Sequence, residues 1–340
     1  MMRVSHRLLG RCGALATVSA IFLLSACGGD QSTLAPLGDN ARLINNLFGP
    51  IFWVAVAVFV IVEGLLLYAV YRYRYRPGDT RTASQTHGNT RLEIGWTIAP
   101  AIVVTIIFGY TLNTQRQLTN PPPSDSALNV EVIGHQWWWE FRYPDLAPAV
   151  VTANELHIPV GEVIQLKITS VDVIHSFWVP RLAGKQDAVP GHVNPMWMRA
   201  DEPGAFRGQC AELCGIQHAL MGLRVIAQSP DEFQAWVTQQ QAPAPAPAAA
   251  VARGAQLFAQ GACVGCHTIA GTPGKGTTGP NLTHVGSRTT LASGFLENTP
   301  ENLVRWLRNP QALKEGVLMP NLNLSNEDAS ALAAYLQSLK

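Results

Sequence analysis

The sequence carries almost no net charge. Its 24 Lys and Arg against 23 Asp and Glu leave +1 over 340 residues, so it lacks the basic footprint that a nucleic-acid partner requires. Cysteine is scarce, with six at positions 12, 27, 210, 214, 263 and 266. Each falls in a ligand-like motif or in the N-terminal leader, so they form no disulfide framework. Methionine is scarcer still at the C-terminal end, where residues 252–340 hold only Met319. What the chain has in quantity is apolar surface, 47 per cent of residues, which is high for a wholly soluble protein. Its length allows two or three domains.

Residues 1–26 read as a secretory signal. Arg3, Arg7 and Arg11 form the basic region, and Ala14 to Leu24 the apolar core. The end, Leu24-Ser-Ala-Cys27, resembles a bacterial lipoprotein box, which implies cleavage before Cys27 and a lipid on its thiol. An exported segment, 27–49, follows. Residues 50–71 are apolar for long enough to cross a bilayer, interrupted by Glu63. A carboxylate at that depth faces a partner or a water cavity. A second span, 96–115, has its apolar run from Trp96 to Leu112, with Trp96 and Tyr110 as interface anchors. The loop between, 72–95, holds Arg72, Arg74, Arg76, Arg81 and Arg91 against Asp79 and Glu93. Its positive excess predicts a cytoplasmic loop, with both ends of the mature chain outside a bacterial inner membrane. Glu93 opens the second span, where a carboxylate is favoured by the helix dipole.

Residues 128–238 read as a β domain. Leu128-Asn-Val-Glu-Val-Ile and Val163-Ile-Gln-Leu-Lys-Ile alternate apolar and polar side chains, and further short strands lie between Gly and Pro breaks, as in a sandwich. Trp137-Trp138-Trp139 cannot all face one core if they lie on one strand, so at least one should be exposed or at an interface. Residues 239–251 contain Gln-Ala-Pro-Ala-Pro-Ala-Pro, a linker of extended character. Residues 252–340 form a second soluble domain.

Twelve residues carry the densest chemistry: Cys210-Ala-Glu212-Leu-Cys214-Gly-Ile-Gln-His218-Ala-Leu-Met221. Thiolate and thioether are soft ligands, and with imidazole they select copper among first-row metals. A mononuclear blue-copper site needs one cysteine. Two cysteines allow two thiolates to bridge two copper ions, each with one histidine. His218 is one, and His175, in the strand-like run Asp172-Val-Ile-His175-Ser-Phe-Trp178, is the best second. A Cys210–Cys214 disulfide, a Cys₂His₂ zinc site and a thioredoxin-like copper chaperone are the rivals. None of them needs Glu212, His218 and Met221 at these spacings. His135, His157 and His192 read as hydrogen-bonded structural residues.

In the last domain, Cys263-Val-Gly-Cys266-His267 is a c-type haem attachment pattern, with thiols for the vinyl groups and His267 for the iron. An iron–sulfur cluster would want about four cysteines, and the domain has two. The sixth iron position points to Met319 in Leu318-Met319-Pro320-Asn321, with His284 as competitor. His/Met ligation raises the potential.

His175 with Cys210-x-Glu212-x-Cys214-x₃-His218-x₂-Met221 resembles the CuA site of cytochrome c oxidase subunit II, and the whole chain resembles such a subunit with a fused class I cytochrome c. The resemblance covers nearly all of the mature chain. It implies a two-helix transmembrane hairpin, an all-β cupredoxin Greek-key sandwich and an all-α cytochrome c domain. It implies that Glu212 ligates copper through its backbone carbonyl, with its side chain toward a magnesium ion shared with subunit I. It assigns Trp137 to electron input from external cytochrome c, Glu93 to the mouth of a proton path, and Asp187 to a segment facing subunit I. Partners would be subunit I, with haem a and the haem–copper site that reduces oxygen, other oxidase subunits, and membrane lipid. A copper-containing nitric oxide reductase subunit and a copper delivery lipoprotein are the competing functions. The net charges, −5 for 128–238 and +2 for 252–340, give weak attraction between the soluble domains. With the linker, they predict a mobile, tethered cytochrome.

Overall fold

The computed structural model describes residues 29–340 apart from 79, 81, 83, 84, 86 and 125. The signal segment, Cys27, Asp79 and Arg81 therefore lie outside the described residues. Two units follow, residues 42–121 and the remainder.

The first unit is a pair of helices. Helix α1 (Asp39–Tyr73) contains the run 50–71, and α2 (Thr90–Thr119) contains the run 96–115. Both extend beyond the apolar stretches because polar flanks continue the helical hydrogen bonding. At 1.5 Å per residue α1 is about 52 Å long, against about 30 Å of bilayer hydrocarbon. Their apolar windows are unburied by protein, which leaves side chains such as Phe59, Leu65, Val104 and Ile106 outward. Asn89 caps α2 by accepting from Arg91 N at 3.1 Å and Leu92 N at 3.3 Å. Glu93 sits in that first turn. Glu63 is half-exposed on α1.

The second unit begins with a sandwich of two five-stranded sheets. One sheet has the order β3 (Val150–Ala153), β2 (Trp138–Tyr143), β1 (Leu128–His135), β5 (Ile164–Ser170), β8 (Asn194–Met198). The other runs β4 (Glu155–Pro159), β10 (Gly222–Gln228), β9 (Gly204–Cys210), β6 (His175–Trp178), β7 (Lys185–Ala188). Strands β1 and β5 pair in parallel, as do β4 and β10, so the connections cross between sheets. The alternation read in β5 is real: Ile164, Leu166 and Ile168 are buried while Gln165 and Lys167 face out. The chain changes sheets at Asn154, whose φ of 62° suits asparagine better than most residues. Its Oδ1 accepts from Trp139 N at 2.9 Å.

The three tryptophans are all buried. Trp137 precedes β2 in a turn, so strand alternation does not govern it. The expectation that at least one would be exposed or at an interface does not hold for the side chains; the Trp137 carbonyl accepts from Ser293 of the last domain. Residues just before the α1 apolar run strap onto the sandwich. Leu37 N donates to Arg181 O at 2.7 Å, Ala41 N to Leu182 O at 3.2 Å, and Arg199 pairs with Asp39.

Helix α3 (Pro230–Gln241) closes the sandwich with a Ser229/Glu232 capping box. It absorbs the start of the expected linker. The extended stretch that remains is 242–248, about 22 Å at most. The last domain is helical: α4 (Ala252–Gln260), α5 (Pro300–Arg308), the single turn α6 (Pro310–Leu313) and α7 (Asn326–Ser338). Its small core joins Phe258, Leu303, Leu332, Tyr335 and Leu336.

The cytochrome domain is seated on the sandwich, where net charge and linker composition predict a mobile tether. The difference has a physical source. The contacts are specific buried hydrogen bonds, which net charge does not register, and the tether is shorter than its composition implied.

Helices α4 and α7 cross at Gly254, where a Cβ would run into Ala331 O and the Tyr335 side chain. Gly254→Ala should therefore destabilise this domain by about 1–3 kcal/mol. A denaturant titration of the intact protein, followed at the haem c absorption, checks this; an unchanged midpoint would contradict the packing.

Candidate copper and haem centres

Strand pairing assembles the first site. In the β9–β10 ladder Gln209 lies opposite Gly222, so Cys210 and Met221 meet where the loop leaves the sheet. Cys210 N donates to Met221 O at 2.9 Å. On the other side of β9, Phe177 of β6 lies opposite Cys210, and Ala211 N bonds Ser176 O at 2.9 Å. This brings His175 to the loop from 35 residues away. Gly134 permits the approach, since a Cβ there would lie 2.8 Å from the His175 ring. Trp139 packs edge-on against that ring at 5.8 Å.

All six expected donors converge. Cys210 Sγ lies 3.9 Å from His175 Nδ1, 3.7 Å from Cys214 Sγ and 3.3 Å from Glu212 O. Cys214 Sγ lies 3.7 Å from His218 Nδ1 and 3.8 Å from Met221 Sδ. His175, Cys210, Cys214 and Met221 are buried. The two sulfurs stand 3.7 Å apart, beyond the about 2.05 Å of a disulfide bond. Two sulfurs 3.7 Å apart both reach a metal at a bond length of about 2.3 Å. Six donors exceed the four of a structural zinc site, and they divide into one imidazole and one weak ligand per sulfur. That division fits a thiolate-bridged copper pair. The Glu212 side chain is half-exposed and 4.0 Å from Lys185.

The electrostatics follow from closeness. The Cys210 thiol is pulled below the usual thiol range by its hydrogen bond with Cys214. Cys214 is held above its usual range by that same thiolate. A metal would displace the remaining proton. His175 Nε2 bonds Asp172 Oδ1 at 2.8 Å, which leaves Nδ1 as the lone pair facing sulfur. Asp172 also accepts from Gln136 N at 2.6 Å and Val173 N at 2.6 Å. Nothing in the motif pointed to Asp172; its only sequence signal is a carboxylate three residues before the remote histidine.

Trp137 sits beside the copper loop. Its Nε1 donates to Cys214 O at 2.9 Å, and Gly215 leaves room for its ring. Histidines 135 and 157 take the structural roles expected: His135 stacks on Trp138 at 4.0 Å, and His157 stacks on Trp236 at 4.3 Å. Asp187 lies in β7, opposite Ser176, and His192 is exposed.

The haem motif lies in the turn after α4. His267 Nδ1 bonds Pro280 O at 2.8 Å, which orients the ring and frees Nε2 for a metal. Gly279 is required there, because a Cβ would lie 2.6 Å from the His267 ring. Burial lowers the His267 pKa, so the ring is held neutral as a ligand must be. Cys266 is exposed and Cys263 half-buried, placed by His267 N donating to Cys263 O at 2.9 Å. Met319 is half-buried against this domain's core, its carbonyl held by Gln311 Nε2 at 3.1 Å. His284 is buried, with neither ring nitrogen hydrogen-bonded. Arg288 Nε is likewise buried without a partner, while its Nη2 donates to Asn281 O. Burial pulls Arg288 down to about 10, opposed by Glu155 of the sandwich.

Three family models match successive parts of the chain. Residues 38–113 match the model of the cytochrome c oxidase subunit II transmembrane domain, and 148–228 that of its periplasmic domain. Residues 251–340 match the cytochrome c model. A cytochrome c oxidase subunit 2 of Alkalihalophilus pseudofirmus is 42% identical, over 93% of this chain and 94% of that protein. One of Bacillus subtilis is 33% identical, over 94% of each. A crystal structure of the periplasmic domain of subunit II of cytochrome oxidase from Bradyrhizobium japonicum is 35% identical, with a TM-score of 0.33, over 35% of this chain and 96% of that one.

Asp172→Ala should lower copper affinity about 10–100-fold by freeing the His175 ring. Competition against a copper chelator measures this, and unchanged affinity would show that Asp172 does not orient the ligand.

Proposed function

The chain belongs to the cytochrome c oxidase subunit II family, and from that premise we propose that it takes electrons into its cytochrome domain and passes them through its copper-ligand loop to haem a of subunit I, where oxygen is reduced to water. Haem c and the CuA copper pair supply one-electron storage when bound. Cys263 and Cys266 would hold the haem covalently, with His267 and Met319 on its iron. His175, Cys210, the Glu212 carbonyl, Cys214, His218 and Met221 would hold the copper. The observation that carries the reading is the paired thiols at 3.7 Å, each with its own imidazole. Burial keeps water away from the sulfurs, and the ladder beneath them limits movement, which suits electron transfer. A nitric oxide reductase subunit is not favoured, since the relatives above are oxidase subunits.

Subunit I and the other oxidase subunits are the partners that membership implies. An external cytochrome c or similar carrier would supply electrons to the cytochrome domain. The basic loop 72–95 would lie in the cytoplasm, and the copper and cytochrome domains on the periplasmic face of a bacterial inner membrane. Glu93, in the first turn of α2, would stand at the mouth of a proton path. The half-exposed Glu212 carboxylate would face a shared magnesium ion. Cys27 would carry lipid.

Two substitutions separate the centres. Cys214→Ser should remove mixed-valence copper absorption while leaving the haem c spectrum intact. Met319→Leu should do the reverse, abolishing the sulfur-to-iron charge-transfer band and lowering the potential. Native copper spectra in the first variant, or a His/Met haem spectrum in the second, would refute the ligand assignment concerned.

A further inference from the structure

The boundary between the sandwich and the cytochrome domain holds two buried charges. Glu155, 1% exposed at the start of β4, reaches out of its own domain. Its Oε1 accepts from Thr289 N at 2.8 Å, Thr289 Oγ1 at 2.6 Å, Thr290 N at 2.8 Å and Thr290 Oγ1 at 2.9 Å. Its Oε2 lies 3.1 Å from Thr289 N. Lys314, also 1% exposed, belongs to the cytochrome domain. Its Nζ donates to Leu220 O of the copper loop at 2.9 Å and to Ala292 O at 3.1 Å. Burial alone pulls its ammonium down to about 8.

Between these two anchors lies Ser293, whose φ of 62° turns the chain toward the sandwich. Its Oγ donates to Trp137 O at 2.6 Å, and its carbonyl accepts from Gly222 N at 3.0 Å. Trp137 is itself bonded to Cys214 O, and Gly222 follows Met221. One residue of the cytochrome domain thus touches the neighbours of two copper ligands through single hydrogen bonds. Nearby, Glu315 O accepts from Gln217 Nε2, and Gly316 fits against Ile216, one and two residues before His218.

Burying a carboxylate and an ammonium is costly unless each is fully hydrogen-bonded. Neither group has that satisfaction from its own domain alone. Among the described residues, the hydrogen-bond donors to Glu155 are Thr289 and Thr290 of the cytochrome domain, and Lys314 needs Leu220 O. Undocking would leave the Thr289 and Thr290 amides to water and release the Ser293 contacts together.

We propose that Glu155 and Lys314 form a latch that holds the fused cytochrome in one orientation, with Ser293 as its contact to the copper loop at Trp137 and Gly222. The Trp137 surface is then occupied by the chain's own cytochrome and is closed to an external carrier. The electron-transfer consequence rests on the route proposed above; the docking itself does not.

The test uses the intact oxidase complex with Glu155→Ala, and Lys314→Met as a second variant that keeps an apolar stem of similar length. Hydrogen exchange at the Thr289 and Thr290 amides reports docking without reference to copper or haem. In the native complex these amides should be protected. Each variant should speed their exchange about tenfold or more, the loss expected for one charged hydrogen-bonding group. After flash reduction of the haem, oxidation of the cytochrome by the copper loop should be independent of salt in the native complex. In the variants it should slow about tenfold and become salt-dependent, because docking then relies on diffusion of the tether. Unprotected amides in the native complex, or variants with native exchange and native rate, would overturn the latch. Protected amides with no transfer to copper would leave the latch standing and overturn the route.

Discussion

The structure depends on keeping two reduced sulfurs 3.7 Å apart in a dry place. Neighbouring thiols in a short loop tend to close into a disulfide or drift to solvent. Here the β9–β10 ladder fixes Cys210 against Met221, and the loop folds Cys214 back beneath the Trp137 indole. The sandwich supplies the rest by topology. Strand β6 lies beside β9, so His175 arrives at the loop without any sequence proximity. Asp172 then fixes which ring nitrogen faces sulfur. The buried aromatics around β2, chiefly Trp139 against His175 and Phe177, exclude water from that side.

Much of this was legible in the sequence because the chemistry is local. The Cys210–Met221 spacing and Cys263-Val-Gly-Cys266-His267 are each contained in a few residues, and a loop or helix end displays them together. His175 was legible as the best second imidazole, lying in a strand-like run upstream. Asp172, Glu155, Lys314 and Ser293 were not. Their roles come from partners 3 to 156 residues away that only the tertiary fold selects. Trp137 escaped the alternation rule because it lies in a turn. The reach of the linker was overestimated because capping by Ser229 and Glu232 carries helix α3 into its glutamines.

The two soluble domains meet at the same loop that carries the proposed copper ligands. Residues 216, 217, 220 and 222 face the cytochrome, while 210, 214, 218 and 221 face the metal site. One short segment therefore carries both the contacts to the cytochrome domain and the proposed copper ligands. Single hydrogen bonds join the two sides. Residues Leu37 to Ala41 also lie against the sandwich, beside Leu182 and Ala200.

The central claim is that the two thiolates bridge two copper ions which share one electron. Electron paramagnetic resonance on the purified complex, combined with metal analysis, tests this most directly. Two copper ions for this chain, with a hyperfine pattern from one electron spread equally over both nuclei, is the predicted result. A single copper ion with a hyperfine pattern from one nucleus, or a diamagnetic zinc in the same place, would contradict it.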